Sequence, residues 1–114
     1  IFIDIADFTK LSSKSSPQSM AKMLNEIFTE FDRIASNLGL EKIKTIGDCY
    51  MAAAGIPIPR NDHAVSVAMM AIKAMESMEN YVFLNEDIKF YPFLLPIDNF
   101  KPTVCIPLKI LVGA

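Results

Sequence analysis

From Met20 to Leu38 apolar side chains return every three or four residues: Met20, Met23, Leu24, Ile27, Phe28, Phe31, Ile34, Ala35 and Leu38. That period gathers them on one face of an α-helix, a face that must be covered by something apolar. Ser16-Pro17 supplies the start, an N-cap hydroxyl followed by proline at the first helical position, and Gly39 supplies the stop. A second helix is expected from about residue 62 to about residue 78. Ala64, Val67, Ala68, Ala71, Ile72, Met75 and Met78 form its buried face.

Around these helices the pattern is that of strands. Residues 1–5 are apolar apart from Asp4, as in a buried strand, and residues 9–16, rich in Ser and Lys, read as a loop. Residues 40–46 and 49–54 read as two strands joined at Gly47-Asp48, where glycine tolerates positive φ. Simple alternation puts Lys42, Lys44 and Ile46 on one face and Ile43 and Thr45 on the other. Prolines at 57 and 59 keep the exit segment from continuing as a central strand. The order strand, helix, strand, strand, helix is most of a ferredoxin-like sandwich: an α+β fold with an antiparallel sheet covered by helices on one face.

After residue 80 the character changes. Pro92, Pro96, Pro102 and Pro107 fall among six aromatic residues, so apolar packing is expected but regular pairing is interrupted. Weak strand signals remain at 81–84 and 105–112. The expected division is a unit at 1–80 and a divergent or truncated tail at 81–114.

Composition narrows the function classes. With 52% hydrophobic and 21% charged residues, the 114-residue chain can bury a core. A net charge of −2 leaves no basic footprint, so no nucleic-acid partner is expected. Two cysteines do not make a disulfide framework and point to a reducing, cytoplasmic setting. The single histidine, His63, rules out zinc spacing and reads as a surface or capping residue. No uncharged run is long enough for a bilayer, so a membrane is expected only through other parts of a parent protein. The chain starts at Ile1, inside a strand pattern, as a piece of something longer would.

Asp4 and Asp48 are the residues to weigh for chemistry. A carboxylate at the end of an apolar strand is costly to bury unless it is paired or ligates a cation, although Asp also commonly caps turns. The segment Ala6, Asp7, Phe8 and Thr9 follows the first strand and could present backbone N–H groups to phosphate oxygens. It contains no glycine, unlike a Gly-rich phosphate loop. Cys49 reads as a small packed residue.

Three strings carry a family resemblance: Phe2-Ile3-Asp4-Ile5-Ala6-Asp7-Phe8-Thr9-Lys10-Leu11-Ser12, Leu24-Asn25-Glu26-Ile27-Phe28 with Phe31-Asp32, and Lys42 through Ala52. In this order, across the N-terminal two thirds of the chain, they resemble class III adenylate and guanylate cyclase catalytic domains. The resemblance implies that Asp4, Asp48 and the backbone carbonyl of Ile5 hold two Mg²⁺ or Mn²⁺ ions. It implies that Ala6, Asp7, Phe8, Thr9 and Gly47 lie against the nucleotide. It further implies that ATP is converted to cyclic AMP and pyrophosphate at an interface between two such domains. Lys44 stands where the family selects the base: a lysine donates to adenine N1, whereas Glu accepts from guanine. A chain with both the aspartates and the lysine is expected to form a homodimer.

Two departures bear on activity. Asp7 stands where many relatives have Gly. No Asn-x-x-x-Arg motif occurs, and neither arginine, Arg33 or Arg60, matches a position that would steady the transition state. Low activity is therefore expected of the chain alone. The alternative is a catalytically inactive module for dimerisation or nucleotide sensing. A polymerase-like or diguanylate-cyclase-like palm lacks its Gly-Gly-[Asp/Glu]-Glu-Phe hairpin here.

Overall fold

A computed structural model describes residues 1–5 and 8–78, together with the backbone of short strands at 82–83, 86–87, 90–94 and 106–107. Strand β1 (Phe2–Ile5) is followed by helices α1 (Phe8–Lys14) and α2 (Pro17–Asn37), strands β2 (Glu41–Ile46) and β3 (Cys49–Ala53), and helix α3 (His63–Ser77). Strands β4 (Val82–Phe83), β5 (Glu86–Asp87), β6 (Phe90–Leu94) and β7 (Ile106–Pro107) come after it. The main sheet runs β2-β3-β1-β6-β7, and every described pairing within it is antiparallel.

The α+β arrangement expected from the sequence is present. Helix α2 ends as its residues dictate: Ser16 Oγ accepts from the Ser19 N–H at 3.2 Å, and Pro17 opens the helix. At the other end Gly39, at φ 71°, lets the Leu40 N–H reach back to the Ala35 carbonyl at 2.9 Å. Met23, Ile27 and Phe31 of α2 are almost fully buried and pack with Ile3, Tyr50 and Met70 in one core. Along β1 burial alternates: Ile1, Ile3 and Ile5 point to the helices, and Phe2 and Asp4 point to the opposite, open face of the sheet. Among the described residues no helix is long and apolar enough to cross a membrane.

Three elements depart from expectation. Residues 8–14 form helix α1, where a loop was expected. Its one buried anchor is Leu11, supported by partly buried Phe8, too few apolar positions to register as a period. Helix α3 is rotated from its expected face: Ser66, Met70, Ala71 and Ala74 are buried, while Ala64 and Ile72 are exposed. Apolar residues occur all round α3, and Ser66 is tolerated on the buried face because its hydroxyl accepts from Arg60 Nη2 at 2.8 Å. Strand β6 pairs with β1 through Phe2↔Phe93, Ile3↔Pro92, Asp4↔Tyr91 and Ile5↔Phe90. One proline removes at most one ladder bond there, and the pairs on either side sustain the strand. Of the weak strand signals, only Val82–Phe83 and Ile106–Pro107 fall within the described residues.

Candidate active site

Strand β1 lies beside β3, with Phe2 facing Met51 and Ile3 facing Tyr50. Extending that antiparallel pairing by one residue sets Asp4 opposite Cys49. Asp48 immediately precedes Cys49, at the tip of the hairpin. The tip is a two-residue turn, Gly47-Asp48, closed by the pair Ile46↔Cys49, and Gly47 takes φ 56°. Both carboxylates are half-buried.

An open cleft of about 750 Å³ is formed where these elements meet α1. Asp4 and Ile5 line it from β1, and Asp48 lines it from the turn. Helix α1 contributes Phe8, Thr9, Lys10 and Ser13. The topology thus brings together five residues singled out in the sequence: Asp4, Ile5, Phe8, Thr9 and Asp48. Ala6 and Asp7 lie outside the described residues. Gly47 shapes the turn but does not line the cleft. Sequence reasoning missed Lys10 and Ser13 because it read their segment as loop; a helical reading would have put both on the face carrying Thr9.

Burial pushes the Cys49 thiol up to about 11, helped by its hydrogen bond to Asp4 and then by the negative charges of Asp4 and Asp48. At neutral pH it is therefore an S–H group donating to the Asp4 carboxylate, not a thiolate. Among the described residues no three His, Cys, Asp or Glu side chains gather as a metal group. What the cleft offers is two carboxylates, with Ile5 beside them. Carboxylates are hard oxygen donors of the kind that suit Mg²⁺ or Mn²⁺, and a protonated thiol adds no soft anionic ligand.

Lys44 is not in this cleft, and its setting corrects the alternation expected of β2. The pairing runs Lys42↔Ala52, then Lys44↔Met51, so Ile43 is an extra residue in a bulge. Lys42 therefore shares the helix-covered face with Ala52 and Tyr50, where its Nζ donates to Asp32 Oδ2 at 3.1 Å. Lys44 shares the open face with Met51, and so the two lysines lie on opposite faces. Lys44 and Ile46 are both exposed.

The two arginines are occupied elsewhere. Arg33 pairs with Glu30 one turn back on α2. Arg60 Nη1 donates to the Leu38 and Gly39 carbonyls at 2.9 and 3.1 Å, and its Nε and Nη2 hold Asp62. It fastens the end of α2 to the start of α3. His63, exposed, opens α3 as a surface residue.

Residues 1–95 match the family described as the adenylate and guanylate cyclase catalytic domain. The chain belongs to that family. Within it, the chain is 40% identical over 81 residues to a receptor-type guanylate cyclase of Caenorhabditis elegans, which covers 71% of this chain and 6% of that protein. It is equally 40% identical over 81 residues to the adenylate cyclase type 9 of Xenopus laevis, again 71% of this chain and 6% of the relative. Among solved structures, the guanylate cyclase domain of a rhodopsin-linked cyclase from Catenaria anguillulae, in complex with GTP, aligns with TM-score 0.74 at 28% identity. That match covers 92% of this chain and 63% of the solved one. The catalytic core of a rhodopsin-guanylyl cyclase with converted specificity, in complex with ATPαS, aligns with TM-score 0.75 at 35% identity, over 79% of this chain and 51% of that one. The chain thus spans a small fraction of its curated relatives and roughly half to two thirds of these solved cyclase domains.

Proposed function

We propose that this chain is the N-terminal part of an adenylate cyclase catalytic domain, acting on ATP to give cyclic AMP and pyrophosphate. The observation that carries the reading is the convergence of Asp4, Ile5 and Asp48 on one cleft with Thr9 of α1; the resemblance makes the Ile5 carbonyl the third donor. Two Mg²⁺ or Mn²⁺ ions held by those three groups would supply positive charge at the attacking and leaving oxygens of the α-phosphorus. Asp4, at the end of β1, and Asp48, in the turn that leads into the adjacent β3, would hold the ions side by side, with the Cys49 S–H donating to the Asp4 carboxylate. Closure of the phosphodiester requires the ribose 3′-hydroxyl to be brought in line with the departing pyrophosphate, which is a positioning task for the cleft walls.

Both adenylate and guanylate cyclases are similar to this chain, the guanylate cyclases at up to 44% identity and the adenylate cyclases at 40%, so the choice of base rests on Lys44. Its ammonium is a donor, matched to the N1 acceptor of adenine and mismatched to the N–H groups of guanine. Lys44 lies outside the cleft on the open face, beside an apolar groove of about 620 Å³ that Phe2, Ile43 and Met51 help to line. This supports a second copy docking on that face, so that each copy's Lys44 serves the other's cleft. The reading includes a cytoplasmic setting, where ATP and Mg²⁺ are supplied.

A specific observation favours a second reading for the chain by itself: Arg33 and Arg60 are both engaged in structural pairs, which leaves neither for the transition state. Nucleotide binding with little turnover is the expected behaviour. The test is calorimetry with Mn²⁺ and non-hydrolysable ATP and GTP analogues. Preferential binding of the ATP analogue supports adenylate cyclase ancestry, and preferential binding of the GTP analogue reverses the base assignment.

A further inference from the structure

We infer that Lys10 is a polyphosphate-binding residue of this cleft, contacting the β- and γ-phosphates of the nucleotide; the inference rests on the reading that the cleft binds a metal–nucleotide complex. Lys10 lines the same cleft as Asp4 and Asp48. It sits on α1 three residues before Ser13 and next to Thr9, so the three project on one side of the helix while Leu11 anchors the other side in the core. The Ser13 hydroxyl donates to the Lys10 carbonyl at 2.7 Å, which ties down that turn of α1 without using the ammonium.

Charge balance gives Lys10 its task. Two divalent ions offset a triphosphate, but the carboxylates that hold them then remain uncompensated. Among the described residues that line the cleft, Lys10 is the cation. Arg33 and Arg60 are fixed far along α2 and ahead of α3, and Lys42 is paired with Asp32 on the other face of the sheet. Lys44 serves the base in the reading above. An ammonium on a flexible stem acts on phosphate as a point charge, so the contact is indifferent to the base and sensitive to salt.

The test is titration calorimetry on the full chain with Mn²⁺ present, using inorganic tripolyphosphate, ATP and GTP analogues and AMP as probes. Lys10→Ala is expected to weaken tripolyphosphate and both triphosphate analogues by the same factor, about tenfold at low salt. AMP and Mn²⁺ alone should bind as before, and Lys10→Arg should restore most of the loss. The inference is overturned if Lys10→Ala binds tripolyphosphate as tightly as the parent while Asp48→Asn does not, which leaves the cleft's reading standing. It is also overturned if Lys10→Arg fails to rescue or if only one base is affected. Absence of binding by the parent chain overturns both the inference and the reading beneath it.

Discussion

The Tyr50 hydroxyl donates to Asp32 Oδ1 at 2.8 Å, joining the middle of the β2–β3 hairpin to helix α2. Lys42 closes the group, with its Nζ 3.0 Å from Asp32 Oδ1 and 5.6 Å from the centre of the Tyr50 ring. Tyr50 is fully buried by residue and packs its ring edge-on against Phe31. Because Tyr50 lies two residues after Asp48 and opposite Ile3, beside Asp4, this group sets the height of the hairpin that carries the site.

Tyr50→Phe keeps the ring and removes the hydroxyl, leaving Asp32 with Lys42 alone. The expected cost is about 1 kcal/mol, read as a lower thermal midpoint. Lys42→Ala should cost less, about 0.5 kcal/mol, because that ion pair is open to solvent. Burial first, and then the Asp32 carboxylate, hold the Tyr50 phenol above its ordinary range. The neutral phenol is thus favoured in the folded chain. Its contribution is complete below the ordinary phenol range and is lost as pH rises through the raised value. Phenolate absorbance near pH 10 should accordingly be almost the same in Tyr50→Phe as in the parent.

Arg60 and Gly39 form a second fastening. A side chain at Gly39 would place its Cβ 2.8 Å from Arg60 Nη1, at a φ of 71°. Gly39→Ala should therefore destabilise the fold by about 1–2 kcal/mol. Arg60→Ala strands the Leu38 and Gly39 carbonyls and the buried Ser66 hydroxyl together, and should lower the thermal midpoint more than Tyr50→Phe does. Arg60→Lys should recover only part of the loss, since one ammonium cannot reproduce the guanidinium fork. Differential scanning calorimetry ranks the three.

The bulge at Ile43 separates two lysines that alternation alone would have made equivalent. Lys44→Glu should shift preference from the ATP to the GTP analogue by about tenfold or more, and Lys42→Glu should alter stability without changing that preference. Competition binding with the two analogues reads this directly.

Much of this was legible in the chain itself. The helix from Ser16 to Gly39 showed its cap, stripe and stop in order, and the Gly47-Asp48 turn stood between two strands of matching length. Asp4 and Asp48 drew attention because a carboxylate beside apolar strand residues needs a reason. Other features depended on tertiary context. A single extra residue in β2 puts Lys42 and Lys44 on opposite faces, and no periodicity reveals which strand absorbs it. Helix α1 rests on Leu11 and Phe8, so its polar surface reads as loop until the core beneath it is present. The burial of Ser66 on α3 is allowed by Arg60, a contact between residues with no periodic relation.

Turnover tests the reading that the chain binds nucleotide without completing the reaction. With Mn²⁺ and ATP the 114-residue chain should form little cyclic AMP, because Arg33 and Arg60 are committed to Glu30 and Asp62. Such a cation at the transition state is worth about a thousandfold or more in rate. Robust cyclic AMP formation by the purified chain would show that another residue supplies that charge.

Binding of a Mn²⁺–ATP analogue, measured by calorimetry on the parent chain, Asp4→Asn and Asp48→Asn, tests the central claim most directly. The parent should bind, and each variant should lose at least about tenfold in affinity while keeping its fold by circular dichroism. Equal affinity in all three, or no binding by the parent, would contradict a metal–nucleotide site at Asp4 and Asp48.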